Sequence, residues 1–490
     1  MALDGWEAAG YHLRPMTDAD YFAWNNRHVW LDGCDLTTEL KQAQQEGRDL
    51  SGVRREFDRL IAVPKPDDSW HQHLGGQRDR AWHEAAGRVV DAVQELPCRG
   101  DYPYVEPSDL AGIRAARPAA MPSGERALPR GLFEKKLHGG LLGRICGCML
   151  GKPVEGWRRD NIRITAQETG NWPLSDYWIK PTDEQAARIA QRGCKSSHAQ
   201  WASVLRGTID GMVEDDDTNY TTIGFAIVKE KGAEFSPLDV ASFWCRNVPI
   251  MHTCTAERAA YRNFVMSILP PDSATYRNPY REWIGAQIRA DYFGYANPGD
   301  PQRAAEWAWR DAAISHIKNG IYGEMWVAAM LAAAYIETDW PRIIRSGLAQ
   351  IPAKCRLAEV VDKIIQAHRR GDPYDQVVDL VHAQWNEADH HDWCHTNSNA
   401  QVVAMSLLWG EDDYERTIAR AVMPGFDTDC NGATAGSLWG VVHGVDAIPA
   451  KWTGPMRDRI RTGVHGYFDV KISDLAREMA QVAMKAGARL

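Results

Sequence analysis

Two aspartates one residue apart, Asp427 and Asp429, stand just ahead of a run with glycine at every fourth position, Gly432, Gly436, Gly440 and Gly444. Positions two apart point to nearly opposite sides of an α-helix, so the pair is predicted on a loop, where both carboxylates turn the same way. The four glycines then fall on one side of a following helix and let another backbone come close. Two carboxylates at a rigid helix entrance are hard oxygen ligands of the kind Mg²⁺, Mn²⁺ or Ca²⁺ accepts, and a divalent ion offsets their repulsion. A second acidic group, Glu214-Asp215-Asp216-Asp217, feeds an apolar helix that ends at Gly232. Aspartate is a good N-cap, and capping accounts for one of these acids, two at most. Adjacent carboxylates with no Lys or Arg beside them are most simply held together around a cation.

Other residues widen the chemistry. Gly143, Gly147 and Gly151 repeat the helix-face spacing, and Pro153 must end that helix, so Glu155 emerges at its end as a further carboxylate. Asn319-Gly320 and Gly323 read as a loop before a buried, alanine-rich helix, whose N-terminus can meet an anion such as a phosphate. The bland reading of the same residues is a turn. His390, His391 and His395, with Asp392 and Cys394, form a dense histidine cluster with Zn²⁺ ligand types. Its spacing fits no zinc motif, and a helix cap or a contact with a polar substrate competes with that reading.

The elements that must position these residues read as helices. Thr17 to Asp20 has the form of a helix start, and Ser51 is placed to cap a helix carrying Phe57, Leu60 and Ile61. Trp82, Ala85, Ala86, Val89, Val90, Val93 and Leu96 mark one face of a further helix, which needs a partner to cover it. From Arg99 to Arg130 the chain is rich in Pro, Gly and Ala and reads as a linker, so a boundary is placed near Gly131, between a helical extension (1–130) and a second domain (131–490). Residues 160–205 read as a polar loop excursion, and no β-rich stretch is expected.

At 490 residues, size alone suggests two or three structural units. The formal charge of −9 is spread without a basic block, so no nucleic-acid surface is indicated. No apolar run reaches the roughly 18 to 20 residues that span a membrane, and the start lacks the pattern of a secretory signal. The ten cysteines are scattered, which is the pattern of reduced thiols, and a cytoplasmic protein without membrane contact is expected.

Taken together, Gly143-x3-Gly147-x3-Gly151-x3-Glu155, Asp215-Asp216-Asp217-Thr218 and Asp427-Thr428-Asp429-Cys430 with its glycine-spaced helix come in the order of the motifs of the ADP-ribosylglycohydrolase family, which the chain resembles from about Gly131 to its end. The resemblance implies an all-α fold, a compact helical bundle here preceded by a helical extension, with two Mg²⁺ or Mn²⁺ ions in a central cleft. By position it implies Asp215, Asp216, Asp217, Asp427 and Asp429 as metal ligands, and Glu155, Asp427 and Asp429 as catalytic carboxylates. It places Asn319 and Gly320 near the loop for a diphosphate or distal ribose, and His395 near a histidine that faces the ligand.

Three residues depart from the family pattern. Cys430 stands for a threonine, Cys148 for an aspartate and Phe426 for a glycine. A soft thiol suits Mg²⁺ poorly, so water is expected in the place of one ligand. The implied activity is metal-dependent hydrolysis of an N-glycosidic ribosyl bond, in an ADP-ribosylated group or a small, for instance NAD-derived, N-ribosyl nucleotide, with no obligate protein partner. The extension and the 160–205 excursion would narrow the cleft and favour a small substrate. The alternative is a non-catalytic ADP-ribose-binding or structural protein of the same fold, against which the retained Glu155 and acidic pairs stand.

Overall fold

The structure is a computed structural model that describes residue 31 and residues 33–63, 80–118, 128–196 and 201–490. The helix start expected at Thr17 lies outside them. The described chain is all-α apart from one two-stranded antiparallel ribbon, in which Ile460 of Arg459–Arg461 faces Val470 of Asp469–Lys471. No described helix is long and apolar enough to cross a membrane. Two compact units emerge, one of Met1–Gly100 with Tyr276–Pro279, the other of Asp101–Thr275 with Tyr280–Leu490.

In the first unit the Arg80–Gln94 helix buries Trp82, Ala86, Val89, Val90 and Val93, the face its periodicity marks. Its cover is Phe57 and Leu60 from Arg54–Ile61 and Leu36 and Ala43 from Leu36–Gln45, an apolar cluster that none of the three helices would bury alone. Trp82 Nε1 donates to the carbonyl of Leu60 at 3.0 Å. Ser51 is not the expected cap. The helix begins after Val53 without a side-chain cap, and the Ser51 N–H turns to Asp49 Oδ1.

The second unit begins at Asp101, ahead of the boundary expected near Gly131. Residues 101–118 are tied into it by a buried carboxylate. Glu106 accepts from Arg356 Nε at 3.0 Å and Nη2 at 2.8 Å, from Asn319 Nδ2 at 2.8 Å and from Tyr102 at 2.6 Å. A short helix, Leu110–Ala116, follows under an Asp109 cap. The 160–205 stretch likewise differs from expectation: it holds the Arg159–Glu168 and Asp183–Gln191 helices, the second opened by a Thr182–Gln185 capping box. Each is short and half-polar, so its periodicity is faint in the sequence.

The element that positions the acidic residues is an antiparallel pair, Arg130–Gly151 against Thr428–His443. Their glycine stripes face each other. A Cβ added at Gly139 would lie 2.4 Å from the Gly440 carbonyl oxygen, at Gly143 2.2 Å from that of Gly436, at Gly147 2.0 Å from that of Gly432 and at Gly151 2.2 Å from that of Thr428. No side chain fits anywhere along this seam. Gly444, expected on the stripe, instead ends the helix at a positive φ of 80°.

Candidate metal centre

Because the pair is antiparallel, the C-terminal end of one helix meets the N-terminal end of the other. Beyond Gly151 a short 3₁₀ turn, Lys152–Val154, leads to Glu155, which leaves in non-helical backbone and is half-buried. Opposite it, Asp427 is the N-cap residue of Thr428–His443 and Asp429 lies in the first helical turn, so the two straddle a helix start where a loop was expected. Thr428 Oγ1 donates to the Gly151 carbonyl at 2.9 Å and ties the two ends together. Asn399 Oδ1 accepts from the Asp427 N–H at 3.1 Å and from Asn431 Nδ2 at 2.8 Å, which fixes the entrance. The third contributor is the Asp216–Lys231 helix, capped by Asp215, whose Oδ1 accepts from the Asp217 N–H at 2.9 Å.

The acids separate into two sets by their counter-charges. Asp215 Oδ2 accepts from the buried Lys152 ammonium at 2.5 Å. Arg144, fully buried, donates to Asp217 Oδ1 at 2.9 Å, to the Asp217 carbonyl at 2.8 Å and to Asp291 Oδ2 at 2.7 Å. The acidic run that has no Lys or Arg beside it in sequence therefore has both in space, from 63 and 73 residues away. Burial works against the Asp215 carboxylate, but Lys152 outweighs it and holds the group below the usual carboxylate range.

The other set has no such partner. No described Lys or Arg lies within ion-pairing distance of Asp427 or Asp429, both buried, and Asp429 Oδ1 has no hydrogen-bond partner. Burial and the neighbouring Asp429 push Asp427 up; burial and Asp215 push Asp429 up; burial and Asp429 push Glu155 up. Burial, with Asp215 and Asp429, raises Asp216 to about 8. Asp429 is thus among the groups that act on Glu155, on Asp216 and on Asp427.

Two groups bring three possible ligand atoms within 4.8 Å of one another, Asp427–Asp429–Cys430 and Cys148–Asp215–Asp217. The first fits a divalent cation: its carboxylates are buried, without an ion-pair partner and partly unbonded, and a cation offsets their repulsion. Cys430, where a hydroxyl was the expected donor, is a thiol pushed further toward its neutral form by burial. The second group does not fit a further ion. Asp217 keeps Oδ2 unbonded, yet each oxygen of Asp215 already accepts a hydrogen bond, and Lys152 and Arg144 already neutralise the two carboxylates.

The expected substrate contacts fall differently. Asn319 and Gly320 lie in the first turn of the Lys318–Ala334 helix, where a preceding loop was expected. Asn319 donates to Glu106 at 2.8 Å and Glu282 at 3.0 Å and accepts from the Leu357 N–H at 2.8 Å, so its side chain fastens this helix start. Gly320 is packed against the Arg281 carbonyl. His395 caps the Thr396–Leu408 helix by accepting from the Asn397 N–H at 3.0 Å and stacks on Trp385 with ring centroids 5.2 Å apart. Its neighbour Cys394 reaches Asp427 Oδ2 at 3.8 Å, which sets this segment beside the acidic cluster. His391 accepts from Trp283 Nε1 at 3.0 Å, and neither described ligand group contains a histidine, so the zinc reading lacks a site.

Lys152 and Arg144 are the site residues that sequence reasoning missed, and Cys394, read there only as a possible zinc ligand, meets Asp427 instead. Lys152 was findable, since it leaves the same helix end three residues before Glu155. Arg144, buried within the glycine-striped helix, was a second such signal.

The model of the ADP-ribosylglycohydrolase family matches residues 129–488. No curated protein matches the sequence. Among solved structures, one named "ADP-ribosylglycohydrolase-related protein complex" aligns at 16% identity over 72% of this chain and 100% of its own, with a TM-score of 0.45. The family match spans the paired glycine helices and all three acidic segments, and the chain belongs to the ADP-ribosylglycohydrolase family.

Proposed function

We propose that this chain is a divalent-cation-dependent glycohydrolase that cleaves an N-glycosidic ribosyl bond, either in an ADP-ribosylated group or in a small, for instance NAD-derived, N-ribosyl nucleotide. Membership of the family supports hydrolysis of ADP-ribosyl glycosidic bonds. The observation that carries the finer reading is that buried Asp427 and Asp429, with ligand atoms close together and no Lys or Arg ion-pair partner, sit at the end of the glycine-packed helices from which Glu155 also emerges.

Such a cleavage passes through an oxocarbenium-like centre, so the site must hold the ribose, place a water and manage its proton. Mg²⁺ or Mn²⁺, when bound, supplies an anchor for vicinal hydroxyls and lowers the pKa of water. Asp216, Asp427 and Asp429 are the residues that would hold it. Glu155, half-exposed and made more basic by its surroundings, takes the proton of the attacking water, with Asp427 or Asp429 orienting that water. Asp215 and Asp217 act as positioning residues, since their charges are already paired. His395 and Trp385 offer an aromatic wall beside the cluster, and Asn319 and Gly320 hold the neighbouring helix start in place. Residues 131–490 are the catalytic domain in this reading. The ten cysteines are all free thiols, which supports a reducing, cytoplasmic setting.

Asp427→Asn and Asp216→Asn test the assignment. Each is expected to keep the helical fold by circular dichroism and to lower turnover about 100-fold or more. Folded variants with full activity would contradict it.

A further inference from the structure

The two donor groups lie side by side, and one of them already contains a cation. Lys152 reaches Asp215 Oδ2 at 2.5 Å, its side chain is 8% exposed, and its charge also acts on Asp429 and Glu155. It comes from the 3₁₀ turn between the glycine-striped helix and Glu155, and the packing of that helix fixes its starting point. Cys148, from the same helix, adds a thiol to the Asp215 side. Both oxygens of Asp215 already accept a hydrogen bond, one from Lys152 and one from the Asp217 N–H. A second divalent ion would have to displace an ammonium that its own charge repels.

We infer that Lys152 is a built-in cation standing at the Cys148–Asp215–Asp217 group, so that the centre takes a single divalent ion, at Asp427 and Asp429, where the carboxylates have no Lys or Arg ion-pair partner. This inference rests on the metal-dependent reading above. It makes Lys152 a positioning residue: it holds the Asp215 carboxylate in place and tempers the repulsion that Asp429 and Glu155 feel from the rest of the cluster.

The test counts ions and needs no turnover. The full chain, freed of metal and titrated with Mn²⁺, is followed by calorimetry and by electron paramagnetic resonance. One Mn²⁺ per chain with the spectrum of an isolated ion is expected. Lys152→Ala is expected to take up two, with the broadened spectrum of an exchange-coupled pair, and Lys152→Arg to take up one. Two ions in the wild type, or a single ion in a folded Lys152→Ala, would overturn the assignment of Lys152 alone. Failure to bind any ion would overturn the metal-dependent function with it. Should Lys152→Ala not fold, the wild-type count and spectrum still decide between one ion and two.

Discussion

Lys152 and Glu155 leave the same helix end three residues apart and do opposite electrostatic work, one neutralising Asp215, the other adding charge to the uncompensated set. That division sets how the metal-free chain responds to pH. Asp216, ordinarily near 3.8, is raised to about 8 by burial and by Asp215 and Asp429. The folded state therefore holds a proton that the unfolded chain has lost. The associated stability is full below the unfolded value and is lost as pH rises through about 8. In EDTA, Asp216→Asn is expected to gain thermal stability relative to wild type between about pH 5 and pH 8, and saturating Mn²⁺ to abolish that trend. A difference that stays flat with pH in EDTA would contradict the crowding of these carboxylates. At this scale Glu155, Asp216, Asp427 and Asp429 were legible as residue types in spaced motifs. The counter-charges were visible only as residues beside the motif: that Lys152 and Arg144 reach these acids depends on a helix packing that adjacency in sequence does not express.

Helix packing is where the site acquires its shape. The seam between Arg130–Gly151 and Thr428–His443 brings each glycine of one stripe against a carbonyl of the other, and the same register sets Gly151 beside Thr428, hence Glu155 near Asp427 and Asp429. Gly147→Ala would drive a methyl into the Gly432 carbonyl and is expected to destabilise by about 1–3 kcal/mol or more, with weaker Mn²⁺ binding as the helix ends separate. Gly131→Ala, in an exposed first turn with nothing within 4 Å, is the control and is expected to be neutral or stabilising by up to about 1 kcal/mol. Urea denaturation of the two variants checks the contrast. Both stripes were visible as i, i+4 glycines; that they pack on each other was not, since spacing reveals a smooth face but not its partner. The 160–205 helices were missed for the converse reason: their buried faces are too short to set a period.

At the scale of the whole molecule, the compact unit that holds the site extends back to Asp101, before the start of the family match at residue 129. Glu106 fastens that added segment through Arg356, Asn319 and Tyr102. Glu106→Ala leaves Arg356 with Glu282 as its remaining carboxylate partner and is expected to cost about 3 kcal/mol in urea denaturation. A negligible loss would contradict the structural weight given to Glu106. The segment's composition of Pro, Ala and Gly gave no hint of this attachment, because Glu106 and the segment's other bonds, such as Tyr104 to Glu359 and Arg114 to Glu306, reach partners 192 to 255 residues away. The central claim, that the carboxylates at the end of the glycine seam serve a metal-dependent glycohydrolase, is tested most directly by mass spectrometry of ribosyl products. The panel is ADP-ribosyl-arginine, ADP-ribosyl-serine, NAD and simple N-ribosyl nucleotides, each with Mg²⁺, Mn²⁺ or EDTA. Release from at least one substrate that EDTA abolishes is the expected result; no release from any of them by the folded, metal-loaded chain, or release unaffected by EDTA, would contradict it.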